Sequence, residues 1–345
     1  MADIEVFLDQ TPGETRGVIA RKGRYHHLII QRDSDRRSDR MGARSVGRIA
    51  RVEPALRGAF VDLGAGEPFG FLPLGPNDRP GEGAKIEVEV TAEPRERKGP
   101  VLRRLGEASG EPRLQAAGPD VAAILSALAP GVTPQTGVAA IRAALEAEED
   151  ALSASVIDPA CGLDLMIQRT RALIAVDIDH APAPGRDSRK SREAANREGL
   201  VHAARLLTLK GWGGLVVVDL IGAGLHGDTI MKGVRAAFAA EPQAVFGPLS
   251  RFGLMQLSLP WRRTPLDERL LEAGGRPALE TRAIAVVRQL RLAMLSDPAT
   301  PRFIARCSPE EAALAAPLIE FLGPRSGLLA DPSMAAGAVR IEEAP

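Results

Sequence analysis

Ala172-Leu-Ile-Ala-Val-Asp177-Ile-Asp179 and Gly214-Leu-Val-Val-Val-Asp219-Leu-Ile221 are the stretches that decide the fold. Each is an apolar, β-branched run ending on aspartate, and such runs read as strands buried on both faces. Between them comes Ala181-Pro-Ala-Pro-Gly-Arg186-Asp-Ser-Arg189-Lys190, a loop rich in proline and basic residues. An amphipathic helix over residues 193–210 follows, with Leu200, Ala203, Ala204 and Leu207 at helical spacing. Strand, helix, strand at this length predicts a βαβ unit with parallel strands, which sets both aspartates on one edge of the sheet. Ligands of open sheets bind at that rim. Two carboxylates there suit a hard cation such as Mg²⁺, and so metal-assisted hydrolysis. The plainer alternative is that each aspartate caps a helix or starts a turn.

The 345 residues predict two to three domains. Apolar residues make up 45% of the chain and aromatics only 3%, so Leu, Val, Ile and Ala must fill the cores. Formal net charge is zero, so any nucleic-acid surface has to come from local clustering of arginine. Two cysteines, Cys161 and Cys307, exclude a disulfide framework and a multi-thiolate zinc site within one chain. With no signal peptide and no bilayer-spanning stretch read from the sequence, the expectation is a cytoplasmic protein.

Working outward, residues 4–31 alternate and predict two or three short strands. The mixed-sign run 32–40 predicts a solvated linker. Residues 46–102 carry short strands punctuated by glycine, the pattern of a small barrel. Phe60 and Phe71 fall there, followed by the basic turn Arg95-Glu-Arg97-Lys98-Gly99. Helices are expected over 120–128 and 134–152, the second started by Thr133 before Pro134. Beyond 263 the pattern predicts a helix over 278–295, a strand over 302–307 and a last strand over 337–342. Ser308-Pro309-Glu310-Glu311 supplies an N-cap, a first-turn proline and a capping-box glutamate for a further helix. This last part reads as scaffold. Gly222-Ala-Gly224-Leu-His-Gly227 is a literal G-x-G-x-x-G, but Glu241, the acidic residue at the right distance, sits before a proline rather than at a strand end. The five histidines complete no triad, and His180 beside Asp179 reads as structural.

Several strings recur together in order: Val46-Gly-Arg-Ile49, Arg51-Val-Glu-Pro-Ala-Leu56, Ala59-Phe-Val-Asp-Leu-Gly64 and Gly70-Phe-Leu-Pro-Leu74, then the two aspartate strands, then Ser250-Arg-Phe-Gly-Leu254. In these the chain resembles the catalytic half of the ribonuclease E/G family. The resemblance implies an α/β and β multidomain architecture. A ribonuclease-H-like subdomain (1–38 and 105–165) would carry an inserted OB-fold barrel (39–104). A deoxyribonuclease-I-like α/β catalytic subdomain (166–262) and a small C-terminal α/β domain (263–345) would follow. The implied activity is Mg²⁺-dependent endonucleolytic cleavage of single-stranded RNA. Asp177 and Asp219 would hold the ion, with Asp179 a further catalytic-site residue where the family usually has asparagine. Phe60 and Phe71 would stack on unpaired bases, Lys98 would contact the strand, and Arg186, Arg189 and Lys190 would reach phosphates.

The chain departs from the family pattern at Arg171, Asp179, Gly222 and Gln256, which leaves a second reading, an RNA-binding paralogue with weakened catalysis. The 5′-end sensor has no counterpart here. The zinc-link cysteines are replaced by Pro265-Leu-Asp-Glu-Arg-Leu-Leu-Glu-Ala273. Single-stranded RNA is therefore the expected partner. No membrane and no zinc-bridged oligomer are expected, and a homodimer through another surface stays open.

Overall fold

The computed structural model describes residues 4–180, 189–222 and 227–344, the side chains of Arg189 and Lys190 excepted. Alternation at the N-terminus builds an antiparallel meander of β1 (Ile4–Thr11), β2 (Glu14–Arg21) and β3 (Arg24–Arg32). Val6, Ile19 and Ile29 pack against Val121, Ile124 and Leu125 of α1 (Val121–Leu128). Asp120 caps that helix by accepting from the Ala123 amide at 2.8 Å.

In the charged run 32–40, Asp33, Ser34, Arg36 and Arg37 are exposed as a solvated linker requires, but Arg32, which ends β3, and Asp35 are held by distant partners. Arg32 is only 5% exposed, donating to Glu14 at 2.7 Å and to Glu280 and Thr281 at 2.9 Å each. Asp35 accepts from Arg269 at 2.8 Å. Carboxylates and hydroxyls distant in sequence complement these charges, so local composition misjudged their burial.

The next strands are β4 (Arg44–Glu53), β5 (Gly58–Asp62), β6 (Gly70–Pro73), β7 (Lys85–Ala92) and β8 (Val101–Glu107). They run in the order β5-β6-β8-β7-β4, and β4 pairs back onto β5 to close a barrel. β9 (Arg113–Ala116) adds to β4. Alternate residues Ile49, Val61, Leu72, Ile86, Val88 and Leu102 fill the interior. α2 (Gly137–Leu152) begins later than residue 134. Gln135 is held in an extended bridge, accepting from the Leu8 amide and donating to the Val6 carbonyl at 2.8 Å each.

The aspartate strands lie in a mixed six-stranded sheet. Its members are β10 (Ser155–Asp158), β11 (Leu163–Arg169), β12 (Ile174–His180), β13 (Gly214–Asp219), β14 (Val245–Phe246) and β15 (Leu254–Leu259). The order is β10-β11-β12-β13-β15-β14, and only β12 and β13 pair in parallel. α3 (Arg189–Lys210) makes the crossover between them, the expected βαβ unit, and α4 (Gly227–Ala237) follows β13. One expectation fails. The strands are buried on one face only: Ile174, Val176, Ile178, Val216 and Val218 join the core with Leu200, Leu206 and Leu207 of α3. Ala175, Asp177, Leu215 and Asp219 lie exposed on the other face. Valine and alanine suit a half-open pleat as well as a closed one, so composition did not separate the two cases.

The C-terminal segment holds α5 (Leu266–Leu270), α6 (Leu279–Ser296), β16 (Arg302–Cys307), α7 (Pro309–Ile319), β17 (Ser326–Ala330) and β18 (Arg340–Ala344). β16 pairs in parallel with β17 across α7 and antiparallel with β18. Ser308 stands at the N-cap of α7 without a side-chain cap bond. Glu311 closes no capping box; it is buried and accepts from Arg282 at 2.8 Å and from the Gly337 amide at 2.6 Å. The last strand starts three residues later than expected, because Gly337, at φ 83°, and its neighbours form a turn.

The chain divides into two units, residues 1–148 with 263–345, and residues 149–262. Among the described residues no helix is long and apolar enough to cross a membrane.

Candidate functional site

Parallel pairing of β12 and β13 sets Ile174 opposite Val216, and the same register brings Asp177 directly opposite Asp219. Adjacent strands lie about 4.8 Å apart, so two side chains in one row and on one face are neighbours. Both aspartates are on the exposed face. Asp179, two residues along, returns to that face opposite Asp164 of β11. The result is a rim bearing four carboxylates.

The electrostatics follow from that crowding. Partial burial, and then the charges of Asp219, Asp179 and Asp164, raise the Asp177 carboxyl above its ordinary 3.8. Asp179 turns partly back on the chain, its Oδ1 accepting from the His180 amide at 2.7 Å. Among the described residues no three or more His, Cys, Asp or Glu are grouped so as to hold a metal ion. The structure therefore brings Asp177 and Asp219 together as a pair and does not gather Asp179 into a three-ligand cluster. Removing the Asp219 charge by Asp219→Asn should lower the Asp177 pKa, read by carboxyl ¹³C NMR against pH. An unchanged Asp177 titration would mean that the two groups do not sense each other.

Asp164 was missed in the sequence, though Leu163-Asp-Leu-Met-Ile167 alternates and so places it on the polar face. Gln256 pairs with Val217 on this face, one row away from the carboxylates. Arg186 and the side chains of Arg189 and Lys190 lie outside the described residues, as do residues 223–226 of the glycine-rich loop. Glu241 is held by Arg262 at 2.8 Å, an ion pair rather than a ribose contact.

The barrel unit carries the aromatic residues. Arg51, Phe60 and Phe71 stand in one row across β4, β5 and β6. The Phe60 and Phe71 rings meet edge to face with centroids 5.7 Å apart, and the Arg51 guanidinium lies 4.8 Å from the Phe60 centroid. Gly58 makes room for this, since a Cβ there would come within 2.2 Å of the Phe71 ring. Both phenylalanines are half-buried. Lys98 is exposed on its turn and donates to Glu96 at 2.6 Å. Arg51 was not singled out from the sequence, where an arginine in a strand carries no distinguishing signal.

The fold is thus a mixed sheet with one open face and an in-register acidic pair at its parallel strand ends, the edge of open α/β sheets at which ligands usually bind. Residues 135–260 match the family model described as the Ribonuclease E/G family. No curated protein matches the chain.

Proposed function

We propose that the chain is a Mg²⁺-dependent endoribonuclease acting on single-stranded RNA, with Asp177 and Asp219 as the residues that hold the ion. The observation that carries this reading is their direct register opposition on neighbouring parallel strands. The donor set fits a hard cation, which prefers carboxylate oxygens and keeps several waters. The raised Asp177 pKa points the same way, because a cation relieves the repulsion that causes it. When bound, Mg²⁺ supplies Lewis acidity and a water of lowered pKa. The chain's own residues do the rest. Asp177 and Asp219 fix the ion at the rim, and the open face admits an extended strand. Asp164 and Asp179 keep the rim negative, so a phosphate approaches only where positive charge is already held.

The barrel order, five strands closed by β4 on β5 and including one parallel β6–β8 contact, supports an OB-fold reading of residues 39–104. The other subdomain likenesses, ribonuclease-H-like, deoxyribonuclease-I-like and the small C-terminal α/β domain, belong to the same proposal. Phe60 and Phe71 then serve as the stacking platform, with Lys98 and Arg51 beside the phosphates. Phe71→Ala should weaken binding of a labelled single-stranded RNA about tenfold, within the range for losing one base stack. Fluorescence anisotropy measures this, and wild-type affinity in that variant would remove the platform from the account.

The competing reading is an RNA-binding paralogue that turns over weakly. Gln256 favours it, since it puts a neutral amide on the open face one row from the acidic pair. Incubating the protein with labelled RNA, in Mg²⁺ and in EDTA, separates the two. Cleavage dependent on the ion supports the enzyme, and binding without cleavage supports the paralogue.

A further inference from the structure

The turn that enters β15 presents an arginine and a phenylalanine to solvent beside the acidic pair. Leu254 is the first residue of β15 and lies opposite Asp219. The chain before it is tied down. The Ser250 amide donates to the Leu254 carbonyl at 2.9 Å, and the Gly253 amide donates to the Ser250 carbonyl at 3.1 Å. The Ser250 hydroxyl accepts from the amides of Phe252 at 3.3 Å and Leu254 at 3.1 Å. Gly253 takes a φ of 84°, which only glycine adopts without strain. This ordered turn leaves Phe252 73% exposed, with the Arg251 guanidinium 4.8 Å from its ring centroid. The ring is thus held out of the core by a fixed turn.

We propose that Phe252 is a stacking platform for the nucleobase next to the scissile phosphate, with Arg251 bracing the ring and facing the adjoining backbone. Position argues for it. Leu254 faces Asp219 across a strand spacing of about 4.8 Å, and Phe252 is two residues from Leu254, which leaves its backbone on the order of 10 Å from Asp219, a reach of about one or two nucleotides. Chemistry agrees, since every base has a face to stack and an arginine beside an aromatic adds cation–π and phosphate contacts. The rim alone is acidic and repels RNA, so a neighbouring cation with an apolar face gives the strand a reason to settle there. The platform would hold the base next to the bond that is cut, a different task from capture by Phe60 and Phe71. The inference rests on the ribonuclease reading, and its test separates the two.

The test pairs Phe252→Ala with an RNA that lacks one base beside the cleaved bond. The variant should lower kcat/KM on intact RNA about tenfold. The abasic RNA should cost the wild type a similar factor and the variant nothing more, because both changes remove one contact. Losses that multiply, or an Ala variant as active as wild type, would overturn the platform. So would a change in self-association of Phe252→Ala with kcat/KM unchanged, which would make the ring a contact between copies. Should the wild type cut no RNA at all, the ribonuclease reading fails on its own. The platform is then read by placing Phe252→Trp in an Asp219→Asn background and titrating a short oligonucleotide. Quenching of the added indole supports the platform, and its absence overturns it.

Discussion

Asp219→Asn is expected to abolish the proposed Mg²⁺-dependent RNA cleavage while leaving the fold intact and RNA affinity nearly unchanged, and Asp177→Asn should do the same. The ion's charge stabilisation is worth several kcal/mol. At 1.36 kcal/mol per decade, the expected loss is about 10³-fold or more. No third carboxylate among the described residues is grouped with the pair to compensate. Stability supplies a second readout. Asp177 sits among like charges that raise its pKa, so an amide at either position relieves repulsion. The thermal midpoint should hold or rise while activity vanishes. If activity fell only in step with a lowered midpoint, the aspartates would be structural. The pH dependence has the same origin. Asp177 gains its proton at a higher pH than an ordinary aspartate, and a protonated carboxyl is a poor ligand. Uptake of Mg²⁺ by the ion-free pair, and so cleavage at subsaturating Mg²⁺, should therefore decline on acidification starting above pH 3.8, the ordinary value.

Arg288→Ala has the second large effect, on stability. Arg288 is 1% exposed and donates to Asp9 at 2.8 Å and to Glu14 at 2.7 Å. Glu14 also accepts from Arg16 at 2.6 Å and from Arg32 at 2.7 Å, while Arg291 donates to Asp9 at 2.6 Å. One buried network thus ties the N-terminal meander to α6, more than two hundred residues later in the chain. Taking away one partner leaves two carboxylates buried with less compensation, a loss of about 3–5 kcal/mol by analogy with broken buried pairs. Urea unfolding measures it, and a change below about 1 kcal/mol, the scale of a surface pair, would contradict the account. Burial alone pushes the Glu14 carboxyl up, but Arg16, Arg288 and Arg32 together hold it well below the usual carboxylate range. Its contribution is present above the unfolded value near 4.5 and is lost as pH falls below that. Acid should therefore loosen this unit.

What the sequence made legible was whatever local pattern controls. The parallel βαβ unit, the three-stranded start, the barrel and the acidic pair each follow from periodicity, turns and strand-end position. What stayed hidden depends on partners distant in the chain. Arg32, at the head of the charged run, looked solvated because nothing local reveals that Glu14, Glu280 and Thr281 close around it. Glu311 looked like a capping-box residue until Arg282 claimed it. The open face of the six-stranded sheet escaped notice because valine and alanine tolerate either environment. Asp164 became part of the rim only once the register of β11 against β12 was known. Arg51 and Phe252 gained meaning from a ring contact and an exposure that no spacing encodes.

The most direct test is anomalous scattering from crystals soaked in Mn²⁺ as a stand-in for Mg²⁺. The account predicts one peak at the rim of the β12–β13 pair, within coordination distance of a carboxylate oxygen from both Asp177 and Asp219. A rim without a peak, beside wild-type crystals that take up the ion elsewhere and protein that still cuts RNA, would contradict it.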